Sequence, residues 1–266
     1  MCYGVKARTE MALRMAKTRG DKQAVEKLKK LIVAHPELEL HYANAFTHPA
    51  LVVYTDAAPH DPQLSLWGLV PGWVKDDAGR LQLWNRTLNA RGETIFEKPA
   101  FRGSAHSRRC IVHVEGFYEH HHLGKHTYPY FIHLKDRPQF ALAGLWDRWK
   151  DPESGEVLQT FSIVTCAGND LLRRIHNKPG SGPGQARSEG PRMPVILAAE
   201  EEDLWLAPVH SAADEAAMKA MIKPYPQEAM AAHPVRHLLG RGGVGNAPGA
   251  SDPWEYPELV LADPLG

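Results

Sequence analysis

Residues 110–134 read CIVHVEGFYEHHHLGKHTYPYFIHL, and this stretch decides the fold class. Cys110–Val114 alternates and runs into Glu115-Gly116, which predicts a strand followed by a turn. Phe117 and Glu119 then share one face of an extended segment, because successive strand side chains point to opposite sides. Leu123-Gly124-Lys125 reads as the tip of a hairpin, with Tyr128–Leu134 as its return arm. Further strands are predicted at Phe140–Trp146 and Gln159–Cys166. Upstream, residues 50–55 and 64–69 read as strands, the second ending before the Pro71-Gly72 turn.

Helical periodicity lies outside this block. Ala24, Val25, Leu28, Leu31 and Ile32 form one apolar stripe, so residues 9–34 are predicted helical, with a break at Gly20-Asp21. Residues 200–206 and 214–222 read as short helices. Residues 178–192 and 240–253 are rich in Gly, Pro and Ser and predict mobile surface loops. Strands in the middle and helices towards the ends predict an α+β domain around a mostly antiparallel sheet or barrel. Its expected extent is 2–239, with a mobile insertion at 178–191, followed by a Gly/Pro-rich tail over 240–266.

Composition narrows the classes. With 43% hydrophobic and 23% charged residues, extensive disorder is excluded. The 21 prolines and 22 glycines, scattered throughout, exclude a coiled coil. No apolar run approaches the roughly 18 residues of a membrane span, and the N-terminus lacks an apolar signal region. Three dispersed cysteines form no disulfide framework, so a cytoplasmic location is expected, at the nucleoid if the protein is bacterial. Net charge is +0, yet residues 8–30 hold eight Lys/Arg against three Asp/Glu, and residues 80–110 hold seven against two. That distribution suits either a polyanion-binding face or solvated helix surfaces.

Cys2 is the most informative single residue. Loss of Met1 leaves an α-amine and a thiol on adjacent carbons. The amine has a reference pKa near 8, far below that of lysine, so it is more readily neutral and attacks aldehydes. The thiol can then close on the imine carbon to give a five-membered thiazolidine. Other chemistry-bearing segments are Asn89-Ala-Arg-Gly-Glu-Thr94, Gly116-Phe-Tyr-Glu119, Ile175-His176-Asn177 and Arg192-Met-Pro-Val-Ile-Leu197. Glu119-His120-His121-His122 with His126 is a weak metal candidate, since only His120 and His122 share a face, and it reads as a solvated run. No metal and no cofactor is expected. Cys110 and Cys166 read as buried packing residues.

Taken in order, these segments resemble the SOS-response-associated peptidase (SRAP) family of abasic-site processing proteins. The resemblance rests on Met1-Cys2, Trp67-Gly-Leu-Val-Pro-Gly-Trp73, Asn89–Thr94, Gly116–Glu119, and His176 with Arg192-Met193-Pro194. It implies that Cys2 is the nucleophile joined to a ring-opened abasic sugar, with Asn89 orienting the reacting groups. It implies proton transfer by Glu119, assisted by His176. Arg91 and Arg192 are implied as DNA contacts, and Trp73 as an aromatic residue at the DNA-facing rim. The implied partner is single-stranded DNA containing abasic sites, and the implied state a monomer. Crosslink reversal, weak lyase activity and autopeptidase activity are compatible side reactions.

This chain departs from the family's usual Met-Cys-Gly-Arg opening, and Lys6 or Arg8 are the nearest substitutes for the missing arginine. Residues 178–191 also separate His176 from Arg192, which the family keeps almost adjacent. A cysteine peptidase that exposes Cys2 by autoproteolysis, and a non-covalent single-strand DNA-binding module, are the alternative readings.

Overall fold

The computed structural model describes residues 2–177 and 190–262. Among these residues the strands are β1 (Gly4–Arg8), β2 (Glu39–Asn44), β3 (Ala50–Thr55), β4 (Ala58–Trp67), β5 (Asn89–Arg91), β6 (Arg109–Val114) and β7 (Gly116–Leu123). They continue with β8 (His126–Leu134), β9 (Phe140–Lys150), β10 (Val157–Ala167), β11 (Arg192–Pro194), β12 (Ile196–Leu197) and β13 (Met230–Pro234). The α-helices are α1 (Thr9–Arg19), α2 (Lys22–Ala34), α3 (Asp77–Trp84), α4 (Arg102–Ser107), α5 (Asp170–Ile175), α6 (Ala199–Leu206), α7 (Ala212–Met221) and α8 (Pro257–Ala262).

Five of these strands close into a barrel. Antiparallel pairs run β4–β3–β6–β9–β10, and a parallel contact, Thr160 with Leu66 and Phe161 with Trp67, joins β10 back to β4. Closure leaves no open edge on the ring. A second sheet, ordered β13-β8-β7-β1-β2, is antiparallel throughout. The chain passes from barrel to sheet at Glu115, between β6 and β7. One face of the second sheet sends Val5, Phe117 and Ile132, all 0% exposed, into the core shared with the barrel. Full burial of each such side chain stabilises the fold by on the order of 2 kcal/mol. The fold is thus α+β with a mostly antiparallel barrel core.

The expected helical break is present. Gly20 closes α1 at φ 72, and the Asp21 side chain caps α2 by accepting from the Ala24 amide. The basic charge of this hairpin is partly paired within the chain, as Arg19 meets Glu202 and Lys27 meets Asp61. The proposed insertion falls, over 178–189, outside the described residues. The stretch 240–253, expected as a mobile loop, instead lies against the second sheet. The Asn246 carboxamide accepts from the Tyr42 amide, and Ala250 is fully buried. The physical reason is the outer face of that sheet, where Tyr42, Tyr118 and Phe131 cluster with Val235, Leu238 and Ala250. An apolar sheet face needs a cover, and the glycine-rich segment provides it. No helix among the described residues is long and apolar enough to cross a membrane.

Candidate active site

The N-terminal residues lie where the two sheets meet. The Ala45 amide donates to the Tyr3 carbonyl at 2.9 Å, extending the β1–β2 pairing by one residue. From the barrel, Asn89 Nδ2 donates to the Cys2 carbonyl at 2.8 Å. Asn89 is held by its neighbours in turn. The preceding Leu88 carbonyl accepts from the buried Trp67 indole at 2.8 Å and from the Ile163 amide, and β5 runs parallel to β10. The Trp67-Gly68 motif therefore acts as scaffold: it fixes the strand that carries Asn89. Gly68 sits at φ 116, and a Cβ there would meet the Trp84 ring.

Glu119 comes from the sheet side. Phe117, Glu119 and His121 follow one face of β7 into the interior, as the period of two requires. The segment that ends α5 is fastened to the same strand. His121 Nδ1 meets the Arg174 carbonyl at 3.0 Å, and Asn177 brackets His122 through both its amide and its carbonyl. Between these contacts His176 Nδ1 lies 2.7 Å from Glu119 Oε2.

Electrostatics follow from burial and proximity. Burial pushes the Cys2 thiol up to about 12, and the nearby Glu119 charge adds to the rise. Burial is the largest single influence on Glu119 and would raise it, but the His176 hydrogen bond together with the surrounding positive charge, the N-terminus included, holds the carboxyl below its usual range. Asn89 Oδ1 is buried with no hydrogen-bond partner among the described residues.

The structure thus brings Cys2, Asn89, Glu119 and His176 together. Arg91 shares a face of β5 with Asn89. Arg192 is engaged within the protein: Glu93 accepts from it through both oxygens, at 3.1 and 2.6 Å, and Thr165 through its carbonyl at 2.8 Å. Trp73, 59% exposed, lines a separate groove with Arg102 and Arg108. Lys6 and Arg8, the nearest substitutes for the family's arginine, are both engaged within the protein. Both turn to Glu115, which Arg8 holds through two bonds of 2.8 Å. Among the described residues no cluster of His, Cys, Asp or Glu forms a metal site. Cys110 and Cys166 are free and buried, as expected.

A cavity of about 360 Å³ opens in front of Glu119 and His176. Its remaining lining includes Tyr3, Phe46, His120 and His122, none of which the sequence reading placed in the site. The signal for the histidines was the run itself, read as solvated. A larger cavity of about 670 Å³ lies between α1, α6 and the barrel, and contains none of the motif residues.

The sequence model for SOS response associated peptidase (SRAP) matches residues 11–241. The chain belongs to the SRAP family. It is 35% identical over 207 residues to the abasic site processing protein YoqW of Bacillus subtilis, covering 77% of this chain and 83% of that one. It is 32% identical over 190 residues to the abasic site processing protein HMCES of Gallus gallus, covering 64% of this chain and 51% of that one. Among solved structures, a protein from Bacteroides thetaiotaomicron superposes with a TM-score of 0.79 at 32% identity, covering 96% of this chain and all of that one.

Proposed function

We propose that this SRAP protein processes abasic sites in single-stranded DNA by forming a thiazolidine crosslink through Cys2 once Met1 is removed. The observation that carries the reading is the convergence of the Asn89–Cys2 tether and the Glu119–His176 pair from two different sheets. The relatives' names supply the substrate class.

An abasic sugar is mostly a closed hemiacetal. Opening it moves a proton from the anomeric hydroxyl to the ring oxygen, and Glu119 with His176 forms a relay for that transfer. The freed Cys2 amine then adds to the aldehyde carbon, giving a carbinolamine that expels one water to leave an imine. Finally the thiol adds to the imine carbon and its proton passes to the nitrogen. One water is released overall, and no oxidant or metal is consumed. With Met1 attached the buried thiol is held at about 12 and is not a standing thiolate, so the order begins with the amine that removal of Met1 frees. Asn89 Oδ1 is a ready acceptor for the N–H groups of the freed amine. Arg91, on the same strand face, is the residue assigned here to the phosphate next to the sugar.

The test is a denaturing gel with labelled single-stranded DNA carrying one abasic site, after mass spectrometry confirms removal of Met1. A heat-stable shifted band is expected for the wild type and none for Cys2→Ala. A band of equal intensity from Cys2→Ala overturns the mechanism.

A further inference from the structure

The cavity in front of Glu119 joins two chemistries. Its floor is polar, with Glu119, His176, His120 and His122. Its lip is apolar: Phe46 and Leu239 are 54% and 58% exposed. Tyr3 stands beside Phe46 with ring centroids 4.8 Å apart and planes tilted by 37°. Large apolar side chains left in water at the mouth of a polar-floored cavity mark a ligand site.

We propose that this cavity seats one unpaired nucleobase, that of the nucleotide adjoining the abasic sugar. Tyr3 and Phe46 provide the stacking surface, and His120, His122 and Thr127 face the polar edge of the base. The assignment of the base to the neighbour rests on the abasic-site reading. If the sugar sits at Glu119 and His176, its own position has no base to offer. A volume of about 360 Å³ is at the small end of ligand sites, matching a single ring system. Stacking on aromatic rings tolerates any base, which suits a protein that meets lesions in every sequence.

Position 4 shows how the wall is kept in place. The Tyr42 ring lies over Gly4, and a Cβ there would meet Tyr42 Cε2 at 2.7 Å. Gly4 and Tyr42 both line the cavity, so the tyrosine closes its back without a side chain from β1. The strand geometry opens the front. β1 pairs with β7 at Val5–Phe117 and Lys6–Gly116, and beyond this β7 runs on as an edge where His120 and His122 reach the same cavity as Glu119.

The experiment has a binding arm and a covalent arm. In the first, Cys2→Ala protein is titrated into oligonucleotides with a tetrahydrofuran abasic analogue and 2-aminopurine on its 5′ or 3′ side. Fluorescence quenching is expected on one flank, and its loss when Phe46→Ala is added. In the second, the wild type is timed on a natural abasic site whose flanking base on that side is present or replaced by tetrahydrofuran. Removing the base is expected to slow crosslinking about tenfold, Phe46→Ala to slow it equally, and the two losses not to add. Phe46→Trp restores the rate.

Multiplying losses, or 2-aminopurine that stays bright on both flanks, overturns the proposal. A wild type that never crosslinks overturns the abasic-site reading instead, while the fluorescence arm still decides the base pocket.

Discussion

Glu119–His176 and Glu202–His113 are the same chemical pair set in two different cavities. Both are tight, at 2.7 and 3.2 Å, and in both burial, the largest influence, is outweighed by the histidine hydrogen bond and nearby positive charges together, so both carboxyls lie below their usual range. Their neighbours differ. Around Glu202, Arg19 adds a cation at 3.5 Å, and His113 packs edge-on against Tyr54. Around Glu119 stand Cys2 with its Asn89 tether and an apolar lip where Phe46 and Leu239 are exposed. His176 keeps 27% of its side chain exposed, against 10% for His113. A buried glutamate–histidine pair is therefore not by itself a sign of catalysis. What distinguishes the pair proposed to be catalytic is Cys2, the proposed nucleophile, beside it and a ring still open to the cavity.

The sharpest way to break this comparison is to neutralise each carboxylate in turn. Glu119→Gln keeps the size and loses the proton relay, so crosslinking should slow by roughly 10²–10⁴. Glu202→Gln should leave the crosslinking rate unchanged and lower stability by about 1–3 kcal/mol, because it replaces a charged partner of His113 and Arg19 with a neutral one. Rates come from timed gels and stabilities from urea midpoints of the same two proteins. Equal slowing by both substitutions removes the distinction.

How much of this was legible beforehand differs between the two regions. The strands around 110–134 were visible because short runs rich in β-branched and aromatic residues are bounded by turn residues, even though both faces of β6 and of the middle of β8 are buried. Cys2, Asn89, Glu119 and His176 could be nominated as candidates from the sequence because their motifs keep distinctive residue types in a fixed order. Strand β4 was cut short in the sequence reading, starting at 64 rather than Ala58. Its first half contains Pro59 and Pro62, and in that half β3 is the pairing strand, while β10 joins only from Leu66. Proline is tolerated on such an edge, so composition hid the strand. Barrel closure was hidden as well, since it depends on a parallel contact between β4 and β10, far apart in the chain. The base pocket escaped because a period of two puts His120 and His122 on the face away from Glu119. The end of β1 lets both faces reach one cavity, and no local pattern encodes where a partner strand stops.

Acid sharpens the comparison from the side of stability. Both carboxyls are lowered on folding, so each contributes stability that is present above the unfolded value of about 4.3 and lost as pH falls through the folded value beneath it. The sign is the same for the two pairs despite their different roles. Urea midpoints of the wild type should drop between neutral pH and about pH 3, and the difference between wild type and Glu202→Gln should narrow over the same interval. A gap that widens on acidification contradicts the assignment of that carboxylate as the ionised partner.

The smallest expected effect concerns Arg192, which the family resemblance marks as a DNA contact and the fold joins to Glu93. Glu93 is 52% exposed, so the pair stabilises the protein by at most about 1 kcal/mol. Glu93→Ala separates the two roles. If Arg192 serves to hold the 89–94 segment beside β11, losing Glu93 should weaken DNA binding slightly and leave its salt dependence unchanged. If Arg192 reaches a phosphate, losing its internal partner should strengthen binding, and Arg192→Ala should then lower the salt slope by about 1. The two bonds to Thr165 at 3.2 and 2.8 Å survive in Glu93→Ala, so the guanidinium stays anchored near β10 in either case. Binding of abasic-analogue DNA by the Cys2→Ala background at two salt concentrations reads the difference without interference from the crosslink. The internal engagement of the guanidinium favours the first outcome, which would place Arg192 with Trp67 among the residues that build the site rather than those that touch the DNA.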